Sequence, residues 1–564
     1  MAFFHAKASH RRKINHIDRI RDETDCWCDE PASIQGVIQR YFHTIFTSTR
    51  LTREELNEVI DTVPTRVTSK MNRKLLEDYS AEEVKAALIQ MFSFKSPGPD
   101  GMPPVFFQRF CNIIRSATTT TVLQLLDDHT FNPSLNFTHI VLIPKCQKHD
   151  IVAHFRLISL CNVIFKLASK TIANQLKPLL DHIISLSQSA FIPGRLITDN
   201  VLVAFELNHF LKNKKRGKEG HVAVKLDMSK AYDRIEWNFL EDMLCKLGFN
   251  NRVVSLIMLC VRSLTYSFML NGMQFGFVKP ERGIRQGDPL SPYLFIQCAE
   301  GFTCLLQAKE HNGDIRGVAA VRRAPKVSHL LFADDTLIFC QATKEAMECI
   351  QGILEKYKRA SGQLINLDES SIFFSSNTAH EDRMEMATLL SVSIDSMPAK
   401  YLGLLYFVGR NKRELFSYVR TRVWQQVSGW KEKMLSQAGK EILIKSIVQS
   451  IQSYCMSCFE LPDSLLREIE SIATNFFWSN MERNKIHSVA WDKMCISKKE
   501  GGLDFRKMEM FNVAMLAKQG WRIISNPNLL ISCILKARYY PDNDFLHGKI
   551  GYNPSFTWRS ILAT

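Results

Sequence analysis

Two adjacent aspartates, Asp334 and Asp335, lie between the short apolar runs Leu330-Leu331-Phe332 and Leu337-Ile338-Phe339. Runs of this length fit buried strands, and an acidic pair between them reads as the turn of a β-hairpin. Two carboxylates side by side at the edge of a core raise each other's pKa, and burial adds a desolvation cost. A divalent cation removes both penalties, and hard Mg²⁺ prefers oxygen ligands. Taken alone, an acidic dipeptide in a hairpin turn is more often a plain solvated turn. A third acid changes the comparison. In His221-Val222-Ala223-Val224-Lys225-Leu226-Asp227, apolar Val222, Val224 and Leu226 alternate with Ala223, Lys225 and Asp227. This predicts a strand that delivers Asp227 at its end. A carboxylate at a strand end, remote in sequence from the pair, is what a two-cation site requires.

The neighbouring elements supply groups for an anionic or nucleotide ligand. Thr138 to Lys145 reads as a strand ended by Pro144, and Phe155 to Leu160 follows it. Lys145 and Arg156 there are candidates to grip a triphosphate or a template strand. Gly283-Ile284-Arg285-Gln286-Gly287-Asp288-Pro289-Leu290-Ser291-Pro292 is a loop leading into a helix, with Ser291 as N-cap and Pro292 at N1. Its glycines let backbone approach a ligand closely, and Arg285 and Gln286 are within reach of bases or sugars. Ser80 and Glu83 form a capping box for a helix reaching about Phe94, and Lys95 to Gly101, with two prolines and two glycines, breaks it. Further helices are expected over Trp237 to Leu247, stopped at Gly248, and over Lys344 to Ala360. Strands are expected near Leu364 to Leu367 and Ser371 to Phe374, with a short hairpin at Lys400 to Leu405. Beyond about residue 411 the chain is helical, with Trp424 and Trp430 among Lys431, Lys433, Lys440 and Lys445, a pattern suited to touching a duplex backbone.

The chain has 564 residues, a net charge of +15 and a pI near 9.1. That surplus points to a polyanionic partner, nucleic acid before membrane surface. No stretch has the roughly 18 uninterrupted apolar residues of a spanning helix, and Met1 to Lys13 lacks the apolar core of a signal peptide. An intracellular protein without a membrane or disulfide-linked partner is the expectation. Cysteines such as Cys161, Cys245, Cys260, Cys298 and Cys340 lie in apolar segments and read as buried thiols; Cys455 and Cys458 read as core packing rather than zinc ligands.

Assembled in order, the segments SPGPDG, LIPK, FRLISL, FIPGR, LDMSKAYD, GIRQGDPLSP, FADD and YLGL resemble the reverse transcriptases of non-LTR retrotransposons, above all plant LINE-1-type elements. The resemblance covers essentially the whole chain. It implies an α+β fold of the right-hand polymerase kind, with fingers, a palm of antiparallel sheet and helices, and a helical thumb. The implied parts are a helical N-terminal connector (1–80), a fingers extension (81–135), a reverse transcriptase core (136–406), a helical thumb (407–480) and a truncated helical C-terminal region (481–564). It implies an RNA-directed DNA polymerase that uses an RNA template, a DNA primer, dNTPs and two Mg²⁺ ions, with Mn²⁺ as an alternative, in the nucleus. Asp227, Asp334 and Asp335 are then the catalytic and metal-binding carboxylates. Tyr232 is the aromatic that blocks a ribose 2′-hydroxyl. Gln286 and Gly287 line the nascent base pair, and Lys145 and Arg156 approach the nucleotide or template.

The sequence departs from the family pattern at Leu157, where proline is usual, at Gln175 for arginine, at Leu405 for proline, and at Glu369 for a lysine near the triphosphate. With neither the endonuclease nor the zinc-binding region of such elements, it reads as a fragment of one. The alternative expectation is a decayed or co-opted copy that binds nucleic acid without synthesis. An intron maturase-like protein is a third reading.

Overall fold

The alternation in His221–Leu226 decides which helices meet which face of the central sheet. The computed structural model describes residues 2–127, 132–146, 148–394, 400–405, 411–431, 435–478 and 488–564. Its main strands are β1 (Phe137–Pro144), β2 (Phe155–Cys161), β3 (His221–Leu226), β4 (Thr265–Leu270), β5 (Met273–Val278), β6 (His329–Phe332), β7 (Asp335–Gln341), β8 (Ser371–Phe374) and β9 (Ser393–Ile394). The larger sheet has the order β9-β8-β3-β7-β6 and the smaller one β2-β1-β4-β5. The helices that matter for the site are α1 (Pro31–Phe46), α2 (Val163–Leu176), α3 (Ile197–Asn213), α4 (Trp237–Leu247), α5 (Ser291–His311), α6 (Lys344–Ser361), α7 (Ser417–Lys431), α8 (Asp463–Trp478), α9 (Met508–Ser525), α10 (Leu530–Tyr539) and α11 (Phe556–Leu562). The architecture is mixed α/β.

Successive strand residues point to opposite faces, and each face of the larger sheet has its own core. Val222, Val224, Leu226, Leu331, Ile338 and Cys340 pack with α2, α4, α5 and α6. Ala223, Leu330, Leu337 and Phe339 pack with α3 and the helices from α7 onward. A sheet covered on both sides in this way holds its strand ends rigidly, and the acidic residues lie at those ends.

The first 80 residues are not helical throughout. A two-stranded ladder pairs Ile20–Arg21 with Trp27–Cys28. Helix α1 turns Ile38, Phe42, Ile45 and Phe46 into the smaller sheet, where they bury with Ile140, Leu142, Phe155 and Phe268. Phe42 stacks on Phe268 at 5.1 Å. The N-terminal segment is therefore one wall of the smaller sheet's core.

Most boundaries follow local chemistry. The Ser80–Glu83 capping box forms as expected, but its helix ends at Ile89, well before Phe94. The chain leaves early to bring Gly98 against Asn162, where a Cβ would lie 2.4 Å from the Asn162 amide. Leu290, not Ser291, is the cap of α5, and the Asp288 carboxylate accepts the Leu290 N–H at 3.3 Å. An acid at that end also complements the helix dipole. Gly248 ends α4 in the left-handed conformation, as read from the sequence.

Two further expectations need correction. Cys245 is exposed, while Cys161, Cys260, Cys298 and Cys340 are buried as expected. Its apolar neighbours face inward on α4 while position 245 turns outward. Lys440 is buried, with its ammonium on the Phe477 carbonyl at 3.4 Å, so it does not face a duplex. Trp430 is core, whereas Trp424 is 54% exposed. Lys433 lies outside the described residues, as do the side chains of Lys431 and Leu405 and the expected boundaries at 406/407 and 480/481.

Candidate active site

Asp227, Asp334 and Asp335 meet because of one strand register. Strands β3 and β7 run antiparallel with Leu226 opposite Thr336. Continuing that register by one residue sets Asp227 beside Asp335. Strands β6 and β7 form the predicted hairpin, Phe332 opposite Asp335, with Ala333 and Asp334 as its two-residue turn. Ala333 takes the left-handed conformation at φ 55°. Positive φ at the first turn position suits a tight hairpin, and alanine bears a cost there that glycine would not.

The strain is held by a residue that sequence inspection gives no reason to choose. Gln188 Oε1 accepts the Ala333 N–H at 3.0 Å and the Ala190 N–H at 2.9 Å. Ser189 N also donates to the Leu331 carbonyl, and Leu331 N to the Ser187 carbonyl. The segment before Phe191-Ile192-Pro193-Gly194-Arg195 thus braces the acidic turn. Arg195 is structural: its guanidinium bonds the carbonyls of Ser185 and Gln188 at 2.5 and 2.7 Å.

A second clamp surrounds Asp227. The Asn366 N–H donates to the Asp227 carbonyl at 2.8 Å, and Asn366 Nδ2 donates to Asp227 Oδ2 at 3.3 Å. The Asp227 N–H donates to Ser370 Oγ at 3.1 Å, and Ser370 Oγ donates back to the Asn366 carbonyl at 2.7 Å. The expected strand near Leu364 is only Leu364–Ile365, paired with Met228–Ser229; a 3₁₀ turn, Leu367–Glu369, follows. That turn carries Glu369, exposed and close enough to repel Asp227.

The electrostatics are those of crowded acids only partly offset by Lys225. Burial, then repulsion from Asp334 and Asp227, pushes the Asp335 carboxyl up to about 6, with Lys225 opposing. Burial and then Glu369 raise Asp227; burial raises Asp334. Among the described residues no three His, Cys, Asp or Glu side chains close into a ready-made metal cage. The donor set nonetheless fits a hard cation: Mg²⁺ is commonly bound by one or two carboxylates, with water and substrate phosphates completing its shell.

The remaining candidates surround this point from several elements. The Tyr232 ring stacks on Phe295 at 4.8 Å with 9° between planes, and burial, then Asp334, raises its hydroxyl pKa. Lys145 and Arg156 are exposed on the β1–β2 hairpin, where Ile143 pairs with Arg156 and the Lys145 N–H bonds the His154 carbonyl. Gln286 is half-buried and Gly287 exposed, at φ 95°. A Cβ on Gly287 would lie 3.9 Å from the Ser159 carbonyl, so this loop crosses the strand that bears Arg156. Arg285 cannot reach a base: it is 4% exposed, bonds Asn136 Oδ1 and lies over the Phe165 ring. Its charge is spent inside the core next to Asp288.

Of the departures, Leu157 is buried in the smaller sheet's core, and Gln175 donates to Glu83 at 3.0 Å, supporting that capping box. Neither touches the acids. Glu369 does alter their field.

Residues 143–406 match the family model for reverse transcriptase (RNA-dependent DNA polymerase). The chain is 26% identical over 507 residues to an uncharacterized 149 kDa protein of transposon TX1 from Xenopus laevis, covering 89% of this chain and 37% of that protein. It is 26% identical over 278 residues, 49% of this chain and 25% of the relative, to a retrovirus-related Pol polyprotein from the type-1 retrotransposable element R2 of Nasonia vitripennis. The chain thus spans well under half the length of these two relatives. An uncharacterized mitochondrial protein of Arabidopsis thaliana is 46% identical over 111 residues, 19% of this chain and 72% of that protein. Residues 143–406 thus carry a reverse transcriptase domain, and the chain is similar to proteins of non-LTR retrotransposons. It shares a family with the mitochondrial protein as well.

Proposed function

We propose that this protein is the RNA-directed DNA polymerase of a plant LINE-1-type element, extending a DNA primer on an RNA template with dNTPs. The observation that carries the reading is the register that sets Asp227 beside Asp335, at a hairpin turn formed by Asp334. Under it the larger sheet is the palm, the smaller sheet belongs to the fingers, and the helices after α6 form the thumb and C-terminal region.

Asp227, Asp334 and Asp335 would hold two Mg²⁺ ions, or Mn²⁺ in their place. Two such ions supply charge stabilisation at the attacking and leaving oxygens of an in-line displacement. The protein's own part is positional. Gln188 and the Asn366–Ser370 turn fix the acids. Lys145 and Arg156 offer cations to the incoming nucleotide or template. The Tyr232 ring, flat against Phe295, bounds the sugar pocket against a 2′-hydroxyl. Gln286 and Gly287 meet the nascent base pair.

The test is primer extension on an RNA template by the full chain, with Asp334→Ala as comparison. The variant is expected to lose about a thousandfold in rate, the loss of several kcal/mol of charge stabilisation. Equal incorporation by both proteins removes Asp334 from the site.

Glu369 favours a second reading. A like charge beside Asp227 opposes the ionised, cation-binding state. On this reading the protein binds RNA or DNA without synthesis, and binding with no metal-dependent extension by the wild type is its signature.

A further inference from the structure

Lys230 stands three residues beyond Asp227 in a left-handed conformation, φ 53°. For a residue with a side chain this backbone is strained and persists only where the surroundings hold it. What holds it is a contact between the two sheets. Lys230 Nζ donates to the Phe155 carbonyl at 3.1 Å, directly before Arg156 on β2. The ammonium lies 6.0 Å from the Tyr41 ring centroid. Burial, together with Lys145 and Arg234, lowers its pKa to about 8, and Asp233 opposes the shift. Lys145 is thus an electrostatic neighbour on the β1–β2 hairpin, and Asp227 is three residues back along the chain.

An ammonium has three N–H donors. Here one meets a neutral carbonyl, and the opposing charge is the buried Asp233 carboxylate, which acts on the ammonium electrostatically. A partly desolvated cation with spare donors, next to further cations and only partly offset by Asp233, gains from an arriving anion. Between a fingers-like hairpin and acids that bind a cation, the anion of matching chemistry is a polyphosphate. We propose that Lys230 is a ligand for the triphosphate of the incoming nucleotide, acting with Lys145 and Arg156 beside it. The assignment rests on the polymerase reading of the acidic site. It also accounts for the strain: the left-handed turn swings the ammonium out of line with the strand and across to β2.

The test compares the full-length wild type with Lys230→Met, which keeps the length of the stem without its charge, and with Lys230→Arg. Loss of a charge-assisted hydrogen bond is expected to raise KM for dNTP about ten- to a hundredfold. It should change kcat less than about threefold and raise Ki for inorganic tripolyphosphate by the same factor as KM. Lys230→Arg should recover most of the affinity. Unchanged KM and Ki in a Lys230→Met protein that extends primers overturn the assignment, leaving Lys230 a tether between the sheets. A wild type that never extends a primer overturns the underlying reading instead. If Lys230→Met does not fold, amine acylation of the wild type read by mass spectrometry asks the same question. Tripolyphosphate should protect Lys230, and unaltered labelling overturns the proposal.

Discussion

The acids of the site oppose the stability of the fold they sit in. The Asp335 carboxyl moves from 3.8 to about 6, first by burial and then through Asp334 and Asp227. An acid whose folded pKa exceeds its unfolded one binds its proton more tightly in the native state, so stability falls as pH rises between the two values. The penalty is absent below about pH 4 and complete above about 6. Two units amount to at most about 3 kcal/mol, less for a carboxylate still partly open to water. Asp335→Asn, in metal-free buffer, should therefore raise Tm by a few degrees at pH 7.5 and by nothing at pH 4. Extension by the wild type should fall as pH drops through about 6, and added cation should move that midpoint downward by competing with the proton. A Tm gain of equal size at both pH values would place the effect in packing and not in charge.

At the scale of elements, the site is a set of strand ends held by remote loops. The hairpin at 329–339 and the strand before Asp227 were legible in the sequence, because period-two alternation and a polar turn are local patterns. The braces were not. Gln188 acts on Ala333 from 145 residues away, and Asn366 on Asp227 from 139. Neither has a composition cue, since a buried amide in a braced turn looks like any other Gln or Asn until the fold is known. Arg285 was misread for the same reason: an arginine beside glycines in a loop reads as ligand-facing, and only its buried bond to Asn136 shows otherwise. Gln188→Ala leaves the Ala333 and Ala190 N–H groups without their acceptor inside the protein. Each unmet buried donor costs about 1–3 kcal/mol. Hydrogen exchange should quicken at Ala333 and Ala190, with far less change at the centre of β7. Uniform acceleration across the sheet would show that Gln188 supports the fold as a whole.

At the scale of the molecule, charge and packing separate. The net charge of +15 concerns the partner. Affinity for a duplex should fall linearly in log K against log salt, by about 0.9 for each phosphate neutralised. A fluorescence titration between 50 and 200 mM salt should give a slope steeper than about −4, and a slope near zero would remove the polyanion argument. The packing concerns the C-terminal helices, whose place on the larger sheet was beyond reach of a linear reading. Residues after α6 carry amphipathic helices, but nothing local says which face of which sheet they cover. Two acids on α3 settle it. Asp199 accepts from Nε and Nη2 of Arg522 at 2.9 and 2.6 Å. Glu206, wholly buried, takes Arg538 and Tyr539 at 3.1 Å each, Thr557 at 2.8 Å and the Ser555 hydroxyl.

Glu206 also sets a schedule. Its serine partner is 349 residues further along the chain. At a synthesis rate of about 5–20 residues per second, some 17–70 s pass between the emergence of the carboxylate and that of the hydroxyl. Once the strands up to Gln341 have been made, α3 has its sheet contacts but not the donors that meet its buried carboxylate. The face that α9, α10 and α11 will cover stays open while α7 and α8 are still being made. The strands bearing Asp227, Asp334 and Asp335 are all made within that window. The order of synthesis therefore gives a nascent chain that holds the elements of its metal site well before its core is closed, with a buried acid as the last lock to engage.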